Sequence, residues 1–268
     1  MPEISELKYM SNFVKQSCKG KLFHKIGTST VTKNPIPDID FDNFSISSQS
    51  RGKEMKITLK SQDKLKTSTL VFSMGMTGHW VFVDSIVDHC HLWFKEKEGK
   101  FLCFVDPRRF GKWKQQEIWS ENRGSDPTTE FSAFKKCILE HKYTTLAKKP
   151  LYDSLLDQKY FNGVGNYLRA EILHRAYKDC RIKPNTIFSA LSKKEVSLLC
   201  LLTKKVCKES YDIGGGEFMS WKNPEGKGSK EKFKDWLQCY QKEGMCQIKD
   251  KQGRNFWFHP DLKNDFKL

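Results

Sequence analysis

The periodicity of the apolar residues changes near Gly124-Ser125-Asp126-Pro127, a plausible linker. Before this segment, from Phe44 to Phe110, short apolar runs alternate with polar residues and are separated by turn residues, a pattern that predicts successive β-strands. After it, apolar residues recur at helical spacing, as at Phe131, Phe134 and Ile138. Strands followed by helices are typical of an α+β fold, so we expect a β-sandwich or barrel and then a helical region.

The strand-rich part is expected to follow an N-terminal helix. Leu7, Met10, Phe13 and Val14 have helical spacing and predict a helix over residues 3–19. Single strands are predicted over 22–31, 55–59, 69–72 and 80–83, and a hairpin from strands 91–94 and 101–105.

The part after residue 127 is predicted to contain helices and a terminal hairpin. Helices are expected over 150–159 and 166–177, and Ser192 with Glu195 forms a capping-box pattern before an apolar run to Val206. Gly214-Gly215-Gly216 should end that helix, and the Lys-rich segment 217–232 is predicted to be a loop. Two short β-runs are expected in the tail, around Tyr240 and at 255–258, with a turn at Gln252-Gly253.

The charge of the chain predicts an anionic partner. The formal net charge is +15 over 268 residues. No apolar run is long enough to span a bilayer and the start has no basic-then-apolar signal sequence, so nucleic acid is favoured over a membrane. The nine cysteines are odd in number and show no C-x-x-C spacing, which fits neither a disulfide framework nor an ordinary four-cysteine zinc site. We therefore expect reduced thiols in an intracellular protein.

Two segments carry the chemistry of the sequence. The chain begins Met1-Pro2-Glu3, and removal of Met1 would leave Pro2 with a secondary amine able to form a Schiff base. Segment 161–169 is a glycine-containing turn followed by a predicted helix, a geometry suited to phosphate. An amine nucleophile and a phosphate cradle on a basic chain suggest chemistry on the sugar of a nucleic acid. Taken alone, Pro2-Glu3 is weak, because Glu3 could simply favour a helix N-terminus.

Three turn segments of the strand-rich part have both a functional and an ordinary interpretation. Lys53 in Arg51-Gly52-Lys53, at the start of a strand, could hold a phosphate or be a solvated lysine. Segment 73–78 could project Met76 from a loop tip into DNA or be a hairpin with core methionines. Segment 106–111 places Arg108, Arg109 and Phe110 in one turn, which suits a wedge into a duplex unless Phe110 folds back into the core.

Two further segments of the helical part have the same ambiguity. Segment 157–166 contains a G-x-G that no preceding strand supports as a dinucleotide site, so helix–turn–helix spacing fits better. Asn166 would then begin the second helix with its amide near a phosphate. Arg254 follows a turn glycine and is expected at a hairpin tip, either as a phosphate ligand or as a solvated charge.

Together these segments resemble the formamidopyrimidine-DNA glycosylase/endonuclease VIII family, in the family's order and over nearly the whole chain. No single motif is decisive, and the order of all of them makes coincidence improbable. The matching segments are Pro2-Glu3, Arg51–Lys53, Gly75–Gly78, Asp106–Gly111, Asp126-Pro127, Asp157–Asn166, Gly214-Gly215, Asn223–Lys227 and Tyr240–Gly244.

The resemblance implies a two-lobed protein. The expected parts are an N-terminal antiparallel β-sandwich lobe over 1–127, a helix–two-turn–helix lobe over 128–234 and a C-terminal β-hairpin finger over 235–268. Two departures from the family pattern stand out. Ile4-Ser5 replaces the usual Gly-Pro, and only Cys246 and His259 match the four zinc positions, with Lys249 and Leu262 at the others. Two ligands do not make a structural zinc site, so the finger is expected to be zincless, and no metal or other cofactor is implied.

The resemblance also implies the activity and the roles of the site residues. We expect a bifunctional DNA glycosylase and AP lyase of base excision repair, acting on oxidised pyrimidines and formamidopyrimidines in damaged DNA. The catalytic residues would be Pro2, Glu3 and Lys53, with Glu3 acting as an acid whose pKa its surroundings raise. The expected DNA-binding residues are Met76, Arg108, Arg109, Phe110, Asn166 and Arg254.

Two rival functions stay open at this point. A catalytically inactive damaged-DNA-binding protein of the same fold would follow from a retained Met1, because Pro2 nitrogen would then be a tertiary amide. A general nucleic-acid binder is opposed by the ordered motifs. We expect a monomer that acts on double-stranded DNA inside the cell, and the sequence leaves its activity on single strands open.

Overall fold

The structure is a computed structural model that describes residues 2–216 and 229–266. The described residues form two compact units. Pro2 and Glu6–Ser120 belong to the first, which we call the strand unit, and Glu3–Ser5, Glu121–Gly216 and 229–266 belong to the second, which we call the helical unit. The three-part division at residues 127 and 234 stays a prediction.

The strand unit contains eight strands joined into one antiparallel sheet with the order β5-β7-β6-β1-β2-β3-β4-β8. The strands are β1 (Phe23–Thr28), β2 (Phe44–Arg51), β3 (Glu54–Ser61), β4 (Thr67–Ser73), β5 (His79–Val83), β6 (Cys90–Glu96), β7 (Phe101–Val105) and β8 (Lys112–Gln115). All the predicted strands and the β6–β7 hairpin are present.

The sheet folds into a sandwich at its middle, where β1 and β2 pair over a very short length. The register between β1 and β2 consists of the single pair Phe23↔Phe44. Phe72 of β4, from one half of the sheet, has its ring centroid 5.0 Å from that of Trp80 in β5 and 5.3 Å from that of Phe104 in β7, both in the other half. The two halves therefore pack face to face through aromatic rings, and the predicted antiparallel sandwich is confirmed.

Six helices lie in the described residues. They are α1 (Ile4–Ser17), α2 (Phe131–Glu140), α3 (Leu151–Ser154), α4 (Asn166–Cys180), α5 (Lys193–Asp212) and α6 (Lys230–Trp236). The helix predicted over 3–19 is α1, whose Leu7, Met10 and Val14 are buried. The predicted capping box is present, since Ser192 Oγ accepts from the Glu195 N–H and Glu195 Oε2 accepts from the Ser192 N–H.

Helix α4 is the centre of the helical unit. Residues 167–176 are buried without interruption, so all faces of this part of the helix lie within protein. The charged side chains on it are therefore paired: Arg169 with Asp250 and Arg175 with Glu171. The burial of α4 holds its N-terminal end firmly inside the unit.

The helix predicted over 150–159 is wrong in length, because α3 ends at Ser154. The backbone turns instead at Asp157, whose carbonyl accepts from the N–H groups of Tyr160 and Phe161 at 2.9 and 2.8 Å. The Gln158 amide completes the turn by accepting from the Gly163 N–H at 3.1 Å and donating to the Val164 carbonyl at 2.8 Å. These bonds replace helical ones and lead the chain into α4.

The tail forms the predicted hairpin with a shifted first strand. Strands β9 (Cys246–Lys249) and β10 (Asn255–Phe258) pair from Phe258↔Cys246 to Asn255↔Lys249. The β-run predicted around Tyr240 is wrong, because the N–H groups of residues 238–240 donate to the buried Glu171 carboxylate and do not enter a ladder. Of the loop predicted over 217–232, residues 217–228 lie outside the described residues. Residues 230–232 belong to α6, so the prediction of a loop is wrong for them.

The structure bears on two expectations from the sequence, that the cysteines are reduced thiols and that no segment spans a membrane. All nine cysteines carry thiols, and six of them are buried. Within residues 2–216 and 229–266, no helix is long and apolar enough to cross a membrane.

Candidate active site and nucleic-acid interface

Glu3 binds the N-terminus of α4. Its buried carboxylate accepts from the backbone N–H groups of Gly165 at 2.6 Å, Tyr167 at 3.0 Å and Leu168 at 3.3 Å. Helix N-termini attract anions, and hydrogen bonds of this kind favour the ionised carboxylate over the acid. Burial of a carboxyl group acts in the opposite direction, so the acid role expected of Glu3 stays a prediction. Pro2, which is also buried, immediately precedes Glu3.

The residues after Glu3 hold the same segment in place. The Ile4 N–H donates to the Gly163 carbonyl at 3.0 Å, and a Cβ on Gly163, which has φ +104, would lie 2.7 Å from Ile4 Cβ. Ser5 Oγ bonds Ser210 Oγ at 3.0 Å, and Ser210 Oγ bonds the Tyr167 hydroxyl at 2.9 Å. Sequence reasoning treated Ser5 only as a departure from the family pattern, whereas the structure links it through Ser210 of α5 to Tyr167 of α4.

Asn166 is the first residue of α4, as predicted. Its side chain is half-buried, and its Nδ2 donates to the Asn255 carbonyl of β10 at 3.0 Å. Its Oδ1 accepts from Arg169 Nη2. The amide is thus oriented from both ends, and its orientation depends on Arg169.

Arg254 lies at the end of the turn between β9 and β10, where the sequence predicted a hairpin tip. Its backbone N–H and its Nε donate to the two carboxylate oxygens of Asp250 at 3.0 and 2.9 Å. Asp250 Oδ2 also accepts from Arg169 Nη1 at 2.9 Å. The side chain of Arg254 is 32% exposed, whereas those of Asp250 and Arg169 are 1% and 0% exposed.

The electrostatics of this group favour the ionised carboxylate. Burial of Asp250 acts to raise its pKa, but hydrogen bonds from the Arg254 and Gln252 backbones and from the Arg254 and Arg169 side chains outweigh it and hold the pKa below the usual value. Burial also lowers the pKa of Arg169, and Asp250 opposes that change. Sequence reasoning missed both residues; the Asp-x-x-Gly-Arg spacing of the turn was the available signal for Asp250.

Lys53 lies in the turn between β2 and β3. The register pairs Arg51 with Glu54, so Gly52 and Lys53 form a two-residue hairpin turn, with Gly52 at φ +56. The prediction that Lys53 falls at the start of a strand is therefore wrong by one position. Its side chain is half-buried.

The two predicted DNA-facing loops of the strand unit are adjacent. We call residues 74–78 and 106–111 together the wedge loops. The buried Asp106 links them, because its Oδ1 bonds Thr77 Oγ1 and its Oδ2 accepts from the Gly111 N–H at 2.6 Å. A Cβ on Gly75, at φ +60, would lie 2.7 Å from the Phe110 carbonyl carbon, so the loops touch at that point.

The side chains at the tips of the wedge loops point to solvent. Phe110 is 51% exposed, so it does not fold back into the core, and its ring lies 4.8 Å from the Arg108 guanidinium. Met74 is buried, as expected of a core methionine, whereas Met76 is exposed and its insertion into DNA stays a prediction. Arg109 is exposed and has φ +56, a left-handed conformation that its N–H stabilises by donating to the Asp106 carbonyl.

The tail does not assemble a recognisable metal group from the residues described here. Within residues 2–216 and 229–266, no three His, Cys, Asp or Glu side chains lie together as metal ligands would. Cys246 begins β9, His259 Nδ1 accepts from the Asp261 N–H, and Leu262 is buried. The zincless finger stays a prediction.

Family models match three stretches of the chain. The N-terminal domain of formamidopyrimidine-DNA glycosylase matches residues 1–113, and the H2TH domain of formamidopyrimidine-DNA glycosylase matches residues 124–220. The DNA-binding model of endonuclease VIII-like 1 matches residues 231–261.

Relatives and solved structures agree with these matches. Endonuclease 8-like 1 of Mus musculus is 35% identical over 97% of this chain and 73% of its own length, and that of Homo sapiens is 32% identical over the same shares. Formamidopyrimidine-DNA glycosylase of Zymomonas mobilis is 27% identical over 91% of this chain and 90% of its own.

Lactococcus lactis FPG bound to DNA containing Fapy-dG superposes with a TM-score of 0.79 at 20% identity, covering 97% of this chain and 98% of that one. The MutM (FPG) protein of Thermus thermophilus gives a TM-score of 0.76 at 23% identity, with the same coverage, and both structures support the fold. The resemblance inferred from the ordered motifs is confirmed, and the chain belongs to the formamidopyrimidine-DNA glycosylase/endonuclease VIII family, the DNA glycosylases with AP-lyase activity that act in base excision repair.

Proposed function

We propose that the chain excises oxidised pyrimidines and formamidopyrimidines from DNA and then cleaves the strand by β,δ-elimination, with Pro2 as nucleophile after removal of Met1. The observation that carries this proposal is the anchoring of Glu3, the residue next to Pro2, on the N-terminus of α4 by three backbone N–H donors. This arrangement fixes a carboxylate beside the amine. It also begins the helix that carries Asn166.

An ionised Glu3 would suit a proton relay. Neutral Pro2 nitrogen attacks C1′ of the damaged nucleotide, the C1′–base bond breaks, and the base leaves with a proton from solvent. The attacking amine becomes positively charged, and the Glu3 carboxylate accepts its proton and passes it to the sugar ring oxygen. Ring opening then gives a cationic iminium between Pro2 and C1′, which activates the C2′ proton for elimination of the 3′ phosphate and then of the 5′ phosphate.

The positively charged and amide side chains would hold the DNA backbone during these steps. Lys53, Asn166 and Arg254 are assigned to phosphates near the lesion, where charge-assisted hydrogen bonds are strongest. Arg254 supports this role by its partial exposure and its fixed guanidinium. The +15 charge of the chain would add a salt-dependent attraction to DNA.

The wedge loops would fill the space left by the flipped nucleotide. Met76 and Phe110 are exposed apolar side chains on two loops that Asp106 ties together, and Arg108 and Arg109 flank Phe110. Insertion of such side chains stabilises an extrahelical base and offsets an unstacking cost of a few kcal/mol. Duplex DNA is therefore the expected substrate. The protein would bind it as a monomer inside the cell, in the nucleus or at a cytoplasmic site of DNA replication.

The name of the Zymomonas mobilis relative supports formamidopyrimidines as substrates, and trapping tests the whole lesion class. A panel of oligonucleotides, each with one oxidised pyrimidine, formamidopyrimidine or 8-oxoguanine, is incubated with the protein and borohydride. We expect a covalent complex with the first two classes at low enzyme concentration and a weaker one with 8-oxoguanine. Preferential trapping on 8-oxoguanine would overturn the lesion assignment, and binding without any trapping would favour the inactive DNA-binding protein.

A further inference from the structure

The carboxylate of Asp250 joins two arginines that differ in their surroundings. Its Oδ2 accepts from Arg169 Nη1 and from Arg254 Nε, both at 2.9 Å. Arg169 is fully buried, and Arg254 is partly exposed at the hairpin turn. The other oxygen, Oδ1, accepts from the backbone N–H groups of Gln252 and Arg254 at 2.9 and 3.0 Å. One carboxylate therefore fixes both the turn and the direction of the Arg254 side chain.

Arg169 transmits this order to the start of α4. Its Nη1 also donates to the Tyr152 carbonyl at 3.0 Å, and its Nη2 donates to Asn166 Oδ1. The guanidinium carbon lies 5.1 Å from the centroid of the Phe256 ring. Both terminal nitrogens of Arg169 are hydrogen-bonded and a ring lies against its guanidinium, so this side chain is held in place and in turn orients Asn166.

The charges show why the arrangement leaves a cation available for DNA. Two guanidinium groups share one carboxylate, so these three side chains carry a net positive charge, and Arg254 is the exposed one. Asp153 and Lys251 also interact with them and add one charge of each sign. An Arg side chain without such a partner would lose rotamer freedom on binding a phosphate. Preorganisation removes that loss before DNA arrives.

We propose that Asp250 and Arg169 are positioning residues that set Arg254 and Asn166 for DNA phosphates, Asp250 acting through Arg254 and Arg169 acting through Asn166. The proposal rests on the phosphate-binding roles given to Arg254 and Asn166 under the proposed function. It adds a buried pair that touches neither DNA nor the reacting atoms.

A double-mutant cycle on DNA binding tests the proposal without chemistry. Affinity for a duplex with a stable abasic-site analogue is measured for wild type, Asp250→Asn, Arg254→Ala and the double variant, each over a range of salt. Asp265→Asn is the matched control, because Asp265 is another carboxylate of the tail and pairs with a cation, Lys183, at 2.9 Å. Thermal unfolding shows which variants are folded at the assay temperature.

The sign of the effect separates positioning from bulk charge. Asp250→Asn raises the net charge by about one unit, which on its own strengthens DNA binding. We expect roughly tenfold weaker binding and a salt slope reduced by about one phosphate contact, as for Arg254→Ala. The double variant should bind no more weakly than Arg254→Ala, and Asp265→Asn should bind as wild type does or slightly better.

A second arm keeps the test decisive if Asp250→Asn does not fold. Arg169→Met fills the buried site with an apolar chain of similar length and leaves Asp250 bonded to Arg254. Arg169→Met should weaken DNA binding, but it should cause no further loss once Asn166 is replaced. The double variant Arg169→Met/Asn166→Ala should therefore bind DNA as Asn166→Ala does.

Three results bear on different parts of the account. The positioning role would be overturned if folded Asp250→Asn bound DNA as tightly as wild type or more tightly. It would also be overturned if, in both double variants, the affinity losses of the two single variants simply multiplied. Wild-type affinity in Arg254→Ala and Asn166→Ala would instead refute the phosphate-binding roles in the proposed function. Failure of the wild type to be trapped by borohydride, with both cycles as expected, would refute the chemistry alone.

Discussion

The carboxylate of Glu3 lies 2.6 Å from the backbone nitrogen of Gly165, and two further N–H groups of the α4 N-terminus donate to it. Glu3, the third residue of the sequence, is thereby fixed to a helix that begins at Asn166. The relation limits where the preceding Pro2, the proposed nucleophile, can lie.

Glu3→Gln should separate base excision from cleavage of an abasic site. The amide oxygen can still accept from α4, but the side chain can no longer take a proton from Pro2. General acid–base catalysis contributes about 10²–10⁴-fold, so single-turnover excision of a damaged base should fall within that range. Cleavage of a preformed abasic site should fall less, because its sugar ring opens without enzyme. Excision at the wild-type rate would rule out the relay.

The wedge is tested by Arg108→Ala/Phe110→Ala. The two side chains are needed only when a base must leave a stack, so excision from duplex should fall by roughly one to two orders of magnitude, since unstacking costs a few kcal/mol. Cleavage of an abasic site in a single strand should be nearly unchanged. Leu65→Ala is the control, as Leu65 is an exposed apolar residue in another turn of the strand unit. Equal losses on both substrates would contradict the assignment.

The strands and the longest helices could be predicted from the sequence because their signals are local. Alternation at Met55, Ile57 and Leu59 reflects a strand whose one face is in the core, and the capping box at Ser192 involves atoms three residues apart. The place of Asn166 at the start of α4 also followed from the glycine-containing turn before it, whereas the sequence left open whether Phe110 is exposed.

Two of the misses depend on pairs that are distant in sequence. Tyr240 leaves the predicted strand because its N–H donates to Glu171, 69 residues away. The Asp250–Arg169 pair joins residues 81 positions apart. The periodicity of a single sequence does not indicate such pairs, because Glu171, Asp250 and Arg169 are of residue types that mostly lie on the surface.

The stability of the protein should depend on pH through Asp250. Its pKa in the folded protein lies below the ordinary 3.8, so its contribution to stability is present above 3.8 and is lost as the pH falls through the lower folded value. Asp250→Asn leaves the buried Arg169 charge unpaired and should cost about 3–5 kcal/mol near neutral pH. The difference in thermal midpoint between wild type and variant should therefore be large at about pH 6 and smaller at about pH 3.

The same measurement on Asp265→Asn provides the reference. Its pair with Lys183 is partly exposed, so the variant should differ little from wild type at either pH. A constant gap between wild type and Asp250→Asn across this range would mean that the ionised carboxylate is not what stabilises the hairpin turn.

The finger should hold its shape without metal. Phe256 and Phe258 are buried, and Phe256 stacks on Tyr152 with ring centroids 5.3 Å apart, so packing can hold β9 and β10. Elemental analysis of purified protein should find no stoichiometric zinc, and a chelator should leave excision unchanged. About one equivalent of zinc, with activity lost on chelation, would place a metal site in the tail, with Cys239, Cys246 and His259 as the first ligands to test.

The central claim is that Pro2 nitrogen forms the covalent bond to DNA, and borohydride trapping on abasic-site DNA tests it most directly. Intact mass first establishes whether Met1 has been removed. The processed protein and a form with a C-terminal tag should be trapped equally, whereas a form with an uncleaved N-terminal tag, in which Pro2 nitrogen is a tertiary amide, should not be trapped. Full trapping of the N-terminally tagged form would move the nucleophile to another amine and contradict the account.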